Sequence, residues 1–327
     1  FNPDTSTLTL NGATINNVYN TTINDSAAQC GIYSEISDLK LVVAGANSIT
    51  STVSSDNRHS YAIYTIGQLT ISGSGSLTAA SDNKSLGYGI YSGSKLTISS
   101  ASGTIAGSST SGGVAYSVGI CGAEGIEISG GDVTATAIGT GTATTPVGMM
   151  GGMYGSGNIT IKGGTVTAQG SKTVSDSSSR GLEGKVVVTG GTVTAQGTKQ
   201  ALQGSLTTSG YTGGIVTAST DKEGDGATEY VASNLTNYKY IKIEPAPVVN
   251  YGLWVGDTQV TSANASNVLG DGTVSYTPAA EGMPQTLTLS NVTIGADTQH
   301  SWFFNSTNTV TCYAAVYAKE SLHLVLD

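Results

Sequence analysis

The sequence predicts an all-β protein: a right-handed, three-sheet parallel β-helix of about eight coils, followed by the start of a second, partial module. Three observations point there. Of 327 residues, 45 are Gly and only 11% are charged. Gly in a helix interior costs about 1 kcal/mol relative to Ala, and the Gly here is spread among Ser, Thr, Asn, Val and Ile, which favour strands and turns. A twenty-residue phrase then repeats almost at once: YAIYTIGQLTISGSGSLTAA at 61–80 returns as YGIYSGSKLTISSASGTIAG at 88–107. Finally, apolar residues alternate within short triplets, the pattern of strands with one buried face.

The repeat extends well beyond that phrase. Its anchor, the first apolar residue of an LTI-like triplet, falls at Leu8, Leu39, Leu69, Leu96, Ile126, Ile159, Val186 and Leu206. Upstream of it lies a G-I-Y type element (Ile32-Tyr33, Ile63-Tyr64, Ile90-Tyr91, Ile120-Cys121, Met153-Tyr154), and downstream lies G-T-V-T-A, identical as GGTVTAQG at 163–170 and 190–197. Each unit therefore holds three short strands that cannot bury a core alone but can when stacked, as solenoid repeats do. At about 4.8 Å per rung, eight coils make a rod on the order of 35 Å long. The right hand follows from the preference of parallel crossovers, and the Gly residues are expected at corners that need positive φ. Stretches beyond the shortest coil, at 54–60, 81–87, 107–117 and 140–151, are expected to bulge as loops.

The repeat fades after Leu206. A solenoid needs a cap over its last rung, and TEYVASNLTNYKYIKIEP (228–245) is the candidate, with YKYIKI as a strand. The expected division is a β-helix module with its cap over 1–244, a linker over 245–250 and part of a second similar module over 251–327. The last assignment rests on TLTLSNVTI at 286–294 against TLTLNGATI at 7–15, Tyr276-Thr277-Pro278 against Phe1-Asn2-Pro3, and VYAKESLHLVL (316–326) against IYSEISDLKLVV (32–43). On this reading the chain begins inside one module and stops inside another, as a piece of a longer tandem protein.

The motifs GIYS, LTISGSGSLT and GGTVTA in successive coils resemble the pectate-lyase-like right-handed β-helices of a clostridial carbohydrate-binding family. YGLWVGDTQVT, VLGDGTVSY and LTLSNVTI resemble a leader repeated in large surface proteins of anaerobic Gram-positive gut bacteria. The resemblance implies an extracellular, cell-surface protein associated with polysaccharide; it carries no catalytic motif over to any residue here.

Charge narrows the partners. A net charge of −9 with only 13 Lys and Arg disfavours nucleic acid, whose binding draws on cationic side chains. No apolar run is long enough for a membrane span. The 3 cysteines are too few for a disulfide framework, and Cys30 and Cys121, three rungs apart, are expected not to pair. Catalysis on a glycan would need clustered carboxylates or a metal beside a basic residue. The outward positions are mostly Thr and Ser, with Glu127 and Lys162 as isolated exceptions. Arg180, near Asp176, Glu183 and Lys185, is the best candidate for a lyase-type base, and Arg58 and His59 share a loop with Asp56. No catalytic residue is assigned. In DKEGDG, Asp221, Glu223 and Asp225 alternate as calcium ligands often do, although Ala232 stands where an EF-hand has its closing Glu; Ca²⁺ is the one cofactor the sequence suggests.

The most informative feature is a tyrosine column. With Ile inward in G-I-Y-S, Tyr33, Tyr64, Tyr91 and Tyr154 project outward on one face, interrupted by Cys121. Such rings either stabilise the sheet by stacking or form a strip for sugar rings. The sequence thus favours a non-enzymatic surface module binding polysaccharide or cell-surface glycan. A glycan-degrading β-helix enzyme and a structural stalk or protein-binding adhesin are the alternatives.

Overall fold

The computed structural model describes residues 1–53, 58–112, 116–140, 145–151, 157–173, 178–294, 299–303 and 309–327. The chain divides into two compact units, Phe1–Ala246 and Pro247–Asp327, a boundary that falls within the expected linker.

The first unit is a stack of parallel coils with three strands per turn. The first sheet contains Ser26–Ser34, His59–Thr65, Gly87–Ser92, Tyr116–Gly122 and Thr145–Gly151. The second contains Asp38–Ala44, Gln68–Gly73 and Asn158–Ile161, and the third Ala46–Thr52, Ser76–Asn83, Thr165–Lys172 and Thr192–Gly197. Longer strands turn corners: Lys95–Ser111 and Gly125–Gly139 run from the second sheet into the third, and Arg180–Val188 from the first into the second. Eight anchors led to an expectation of about eight coils. The three-strand turns beginning at Ser26, His59, Gly87, Tyr116, Thr145 and Arg180 are complete, giving six. Thr7–Asn11 with Thr14–Ile15, and Gln200–Thr207, form only part of a turn at either end.

The anchors from Leu39 to Leu206 pair residue for residue through Leu69, Leu96, Ile126, Ile159 and Val186. Leu8 sits two places along, opposite Leu41. Behind the column stand Ile63, Ile90, Ile120, Met149 and Leu182 from the first sheet, and Leu77, Ile105, Val133, Val166 and Val193 from the third, all at most 1% exposed. Of the expected loops, 107–111 and 145–151 are strand instead, in register with 135–139 and with 116–122.

Glycine has two separate jobs in this stack. At corners such as Gly125, Gly164, Gly184 and Gly191 it supplies the expected positive φ, between 82° and 137°. At Gly31, Gly89, Gly119, Gly148 and Gly181, in five of the six turns of the first sheet with Ala62 in the other, φ is ordinary and the requirement is space. A Cβ on Gly119 would lie 2.5 Å from the Thr136 amide nitrogen and 2.7 Å from the Gly148 carbonyl oxygen. The third sheet answers with its own small column, Ala79, Gly107, Ala135, Ala168 and Ala195, so the two backbones meet almost directly.

Antiparallel strands close both ends. Tyr19–Ile23 pairs with Ser26–Cys30. Tyr240–Pro245, which takes in the last four residues of YKYIKI, lies antiparallel on Thr192–Gly197 and on Gly214–Ser219, and Tyr238, Ile241 and Ile243 extend the core over the last turn.

The second unit holds its own small core of Leu253, Val255, Val260, Val268, Val274, Tyr276 and Leu287. Asn250–Val255 pairs antiparallel with Thr258–Thr261 and with Val316–Ala318. Thr286–Leu289 pairs antiparallel with Val274–Thr277 and parallel with His323–Leu326, while Gln299–Phe303 and Thr309–Tyr313 form a hairpin.

Candidate functional site

Within each first-sheet strand the ladder skips one small residue, Gly31, Ala62, Gly89, Gly119, Gly148 or Gly181, and outward residues stand on either side of it. Three places after the upstream residue comes the downstream one, so two parallel columns run along the outside of the coil. Upstream stand Cys30, Tyr61, Tyr88, Val118, Val147, Arg180 and Gln200; downstream stand Tyr33, Tyr64, Tyr91, Cys121, Met150, Glu183 and Gln203. The columns lean together: Tyr61 meets Tyr64, and Tyr88 meets Tyr91, edge to face at 5.0 Å in both cases.

Along the columns the rings stack nearly parallel, at 5.7 Å for Tyr33 and Tyr64, 5.1 Å for Tyr64 and Tyr91, and 5.3 Å for Tyr61 and Tyr88. The outward tyrosines therefore form a second hydrophobic cluster with Cys30, Val118, Cys121, Val147 and Met150. Tyr61 is 3% exposed and Tyr64 8%. Burial pushes the Tyr91 phenol up to about 12 and raises those of Tyr61 and Tyr88 as well. The open part of the array is its first rung. There Tyr19, 58% exposed, packs 5.5 Å from Tyr33, whose hydroxyl donates to Glu35 Oε1 at 2.8 Å.

Tyr33, Tyr64 and Tyr91 thus share one column with Cys121, as the spacing indicated. The next member of the column is Met150, which pairs with Cys121: the fifth turn's strand, Thr145–Gly151, puts Met149-Met150 there, four residues ahead of the Met153-Tyr154 match, and Tyr154 lies outside the described residues. The upstream partners Tyr61 and Tyr88 were missed, although YAIY and YGIY display both tyrosines three apart.

Beyond the aromatic rungs the two columns turn polar. Arg180 Nη1 donates to Glu183 Oε2 at 2.9 Å, and Glu183 is 4% exposed. The guanidinium's Nη1 is thereby engaged by a neighbouring side chain of its own strand. Asp176 lies outside the described residues, and Lys185 belongs to the second sheet. Arg58 donates to Asn20 Oδ1 at 2.7 Å, and desolvation lowers the pKa of His59; Asp56 is outside the described residues.

Glu127 and Lys162 are not isolated. Glu127 accepts from Lys95 at 2.8 Å and from Lys162 at 2.7 Å, a bridge across three successive turns of the second sheet. The two ammonium groups hold the Glu127 carboxyl below its usual range. Sequence spacing hides this triad, because its members are neighbours only once the coils are in register.

In the acidic loop, Asp221 Oδ1 accepts from the Glu223 amide at 2.8 Å and from the Asp225 amide at 3.4 Å. Glu223 lies 3.7 Å from Lys222. Among the described residues, no group of three or more His, Cys, Asp or Glu side chains is arranged to hold a metal ion, and no helix is long and apolar enough to cross a membrane. Cys30 and Cys121 are both free and buried, as their separation required; burial pushes each thiol up to about 12.

Compared with known proteins, the chain matches no family model, and neither a curated protein nor a solved structure matches it at a significant level.

Proposed function

We propose that this chain is a non-catalytic β-solenoid module that serves as a rigid structural and display segment of an extracellular surface protein. One observation supports this above the others: the aromatic and ionic groups of the outer columns are occupied by one another. The faces of Tyr64 and Tyr91 cover each other at 5.1 Å, and Arg180 is committed to Glu183. Acid–base catalysis needs a group placed to give or take a proton at a bound substrate, whereas the tyrosine rings hold adjacent turns together and Arg180 is paired within its own strand.

A second reading, weak polysaccharide binding, is favoured by the exposed Tyr19 beside Tyr33 and by lateral faces rich in Ser and Thr. A ring left open to solvent can stack on a sugar while hydroxyls meet its polar edge. Screening the full chain against a glycan array, and incubating it with pectin and cellulose, tests both. The structural reading expects no release of unsaturated or reducing ends. Retention of a glycan that is lost in Tyr19→Ala would establish binding at the first rung, and product release would overturn the non-catalytic assignment.

A further inference from the structure

Six of the chain's 16 tyrosines touch one another on the outside of the coil. Tyr19 packs on Tyr33 at 5.5 Å, Tyr33 on Tyr64 at 5.7 Å and Tyr64 on Tyr91 at 5.1 Å. Tyr61 and Tyr88 stack at 5.3 Å in the other column, and contacts of 5.0 Å join the columns, Tyr61 to Tyr64 and Tyr88 to Tyr91. Every separation is that of a direct ring contact, so the rings form an unbroken path. Among the described residues, Tyr33 joins the inner rings of this path through Tyr64 alone. Oxidisable side chains border it: Cys30 sits beside Tyr61, Cys121 follows Tyr91, and Met150 follows Cys121.

The six rings differ in what becomes of a proton. A phenol that gives up an electron must also give up its proton, or leave a positive charge on a ring in apolar surroundings, where charge is costly. Tyr33 has a partner for that proton: its hydroxyl donates to Glu35 Oε1 at 2.8 Å, a distance suited to direct transfer. Among the described residues no other hydroxyl of the six donates to a carboxylate, and Tyr61, Tyr64 and Tyr88 are at most 9% exposed. The bordering thiols stay protonated, because burial pushes both up to about 12, and the reactive form of cysteine is the thiolate.

We propose that the tyrosine cluster is a one-electron relay, which carries an oxidising equivalent from whichever ring it enters to Tyr33 and away from Cys121 and Met150. A diffusing one-electron oxidant takes an electron from a ring and leaves as its anion. An electron from Tyr33 then passes through Tyr64 to that ring, which is restored, water returning any proton it had shed. The phenolic proton of Tyr33 moves to the Glu35 carboxylate. The net products are the reduced oxidant, a neutral Tyr33 phenoxyl radical and a protonated Glu35. This goes beyond the scaffold reading, and its failure is separately readable, since neither glycan retention nor product release depends on electron transfer.

The test exposes the full chain to a substoichiometric amount of azide radical, generated by pulse radiolysis, in the presence of a spin trap, and maps the tyrosine adducts by peptide mass spectrometry. Tyr33 and Tyr91 are both half-buried, so attack governed by access alone marks them alike. The relay expects about tenfold more adduct on Tyr33 than on Tyr91, the ratio that one hydrogen bond to a charged group supplies. Tyr64→Phe keeps the stack but puts a ring that this oxidant does not attack between Tyr33 and the inner rings; the two adducts are expected to become level. Glu35→Gln, at an exposed position, keeps the path and a hydrogen-bond acceptor but no base, and is expected to do the same. Circular dichroism identical to that of the unaltered chain shows both variants folded. Level adducts in the unaltered chain, or a preference for Tyr33 that survives either substitution, overturn the proposal.

Discussion

Tyr64 and Tyr91 lie ring over ring on adjacent turns, with centroids 5.1 Å apart and planes 6° from parallel. Each also meets the tyrosine three residues ahead of it edge to face. The contact belongs to an outer hydrophobic cluster set against the solenoid wall, separate from the interior core. Losing a buried aromatic costs about 3 to 5 kcal/mol. Tyr64→Ala is therefore expected to lower unfolding stability by about 3 kcal/mol, whereas Tyr64→Phe, which keeps the stack, changes it by less than about 1 kcal/mol. Urea titration monitored by far-UV circular dichroism checks both; equal losses would show that the hydroxyl, not the stacking, is what matters.

Gly119→Ala should be more damaging than its size suggests. The added methyl would fall 2.5 Å from the Thr136 amide nitrogen, and backbone on both sides leaves no flexible side chain to yield. Overpacking of this kind costs about 1 to 3 kcal/mol or more. Gly226→Ala, where nothing lies within 4 Å but φ is +65°, is expected to cost less, about 1 kcal/mol. A thermal melt in which the two variants behaved alike would refute the close approach of the first and third sheets.

Stability should be level through neutral pH and fall in alkali. Cys30, Cys121 and Tyr91 are each pushed up to about 12, from 9 for the thiols and 10 for the phenol. All three hold the proton more tightly when folded, so the unfolded chain ionises first. Their contribution is intact below about pH 9 and is lost progressively as pH rises toward 12. Denaturation midpoints measured at pH 7, 8 and 10.5 are expected to coincide for the first two and drop at the third. A midpoint that rises between 8 and 10.5 reverses the sign.

Arg180 and Glu183 should be far more sensitive to single than to paired replacement. Removing the guanidinium strands a carboxylate that is 4% exposed, and breaking a buried pair from one side costs about 3 to 5 kcal/mol. Arg180→Met with Glu183→Leu removes both charges and is expected to recover most of that loss. A double-mutant cycle measures the coupling; additive single effects would show that the two side chains act independently.

Much of this architecture was readable in the sequence. Stacking fixes every turn to the next, so the LTI anchors from Leu39 to Leu206 set the strand register, and period-two alternation settled which residues face inward. TLTL recurs at 7–10 and 286–289, and each copy pairs in parallel, with 40–43 and with 323–326. The tertiary structure decided matters that depend on distance across the coil. Outward proved not to mean exposed, because Tyr61 packs edge to face on Tyr64, as Tyr88 does on Tyr91, and the tyrosines close upon themselves. Lys95, Glu127 and Lys162 became one charge bridge only when three turns were superposed. Met150 follows Cys121 in the column because the strand beginning at Thr145 pairs with Tyr116–Gly122, and a local triplet match cannot outweigh that ladder.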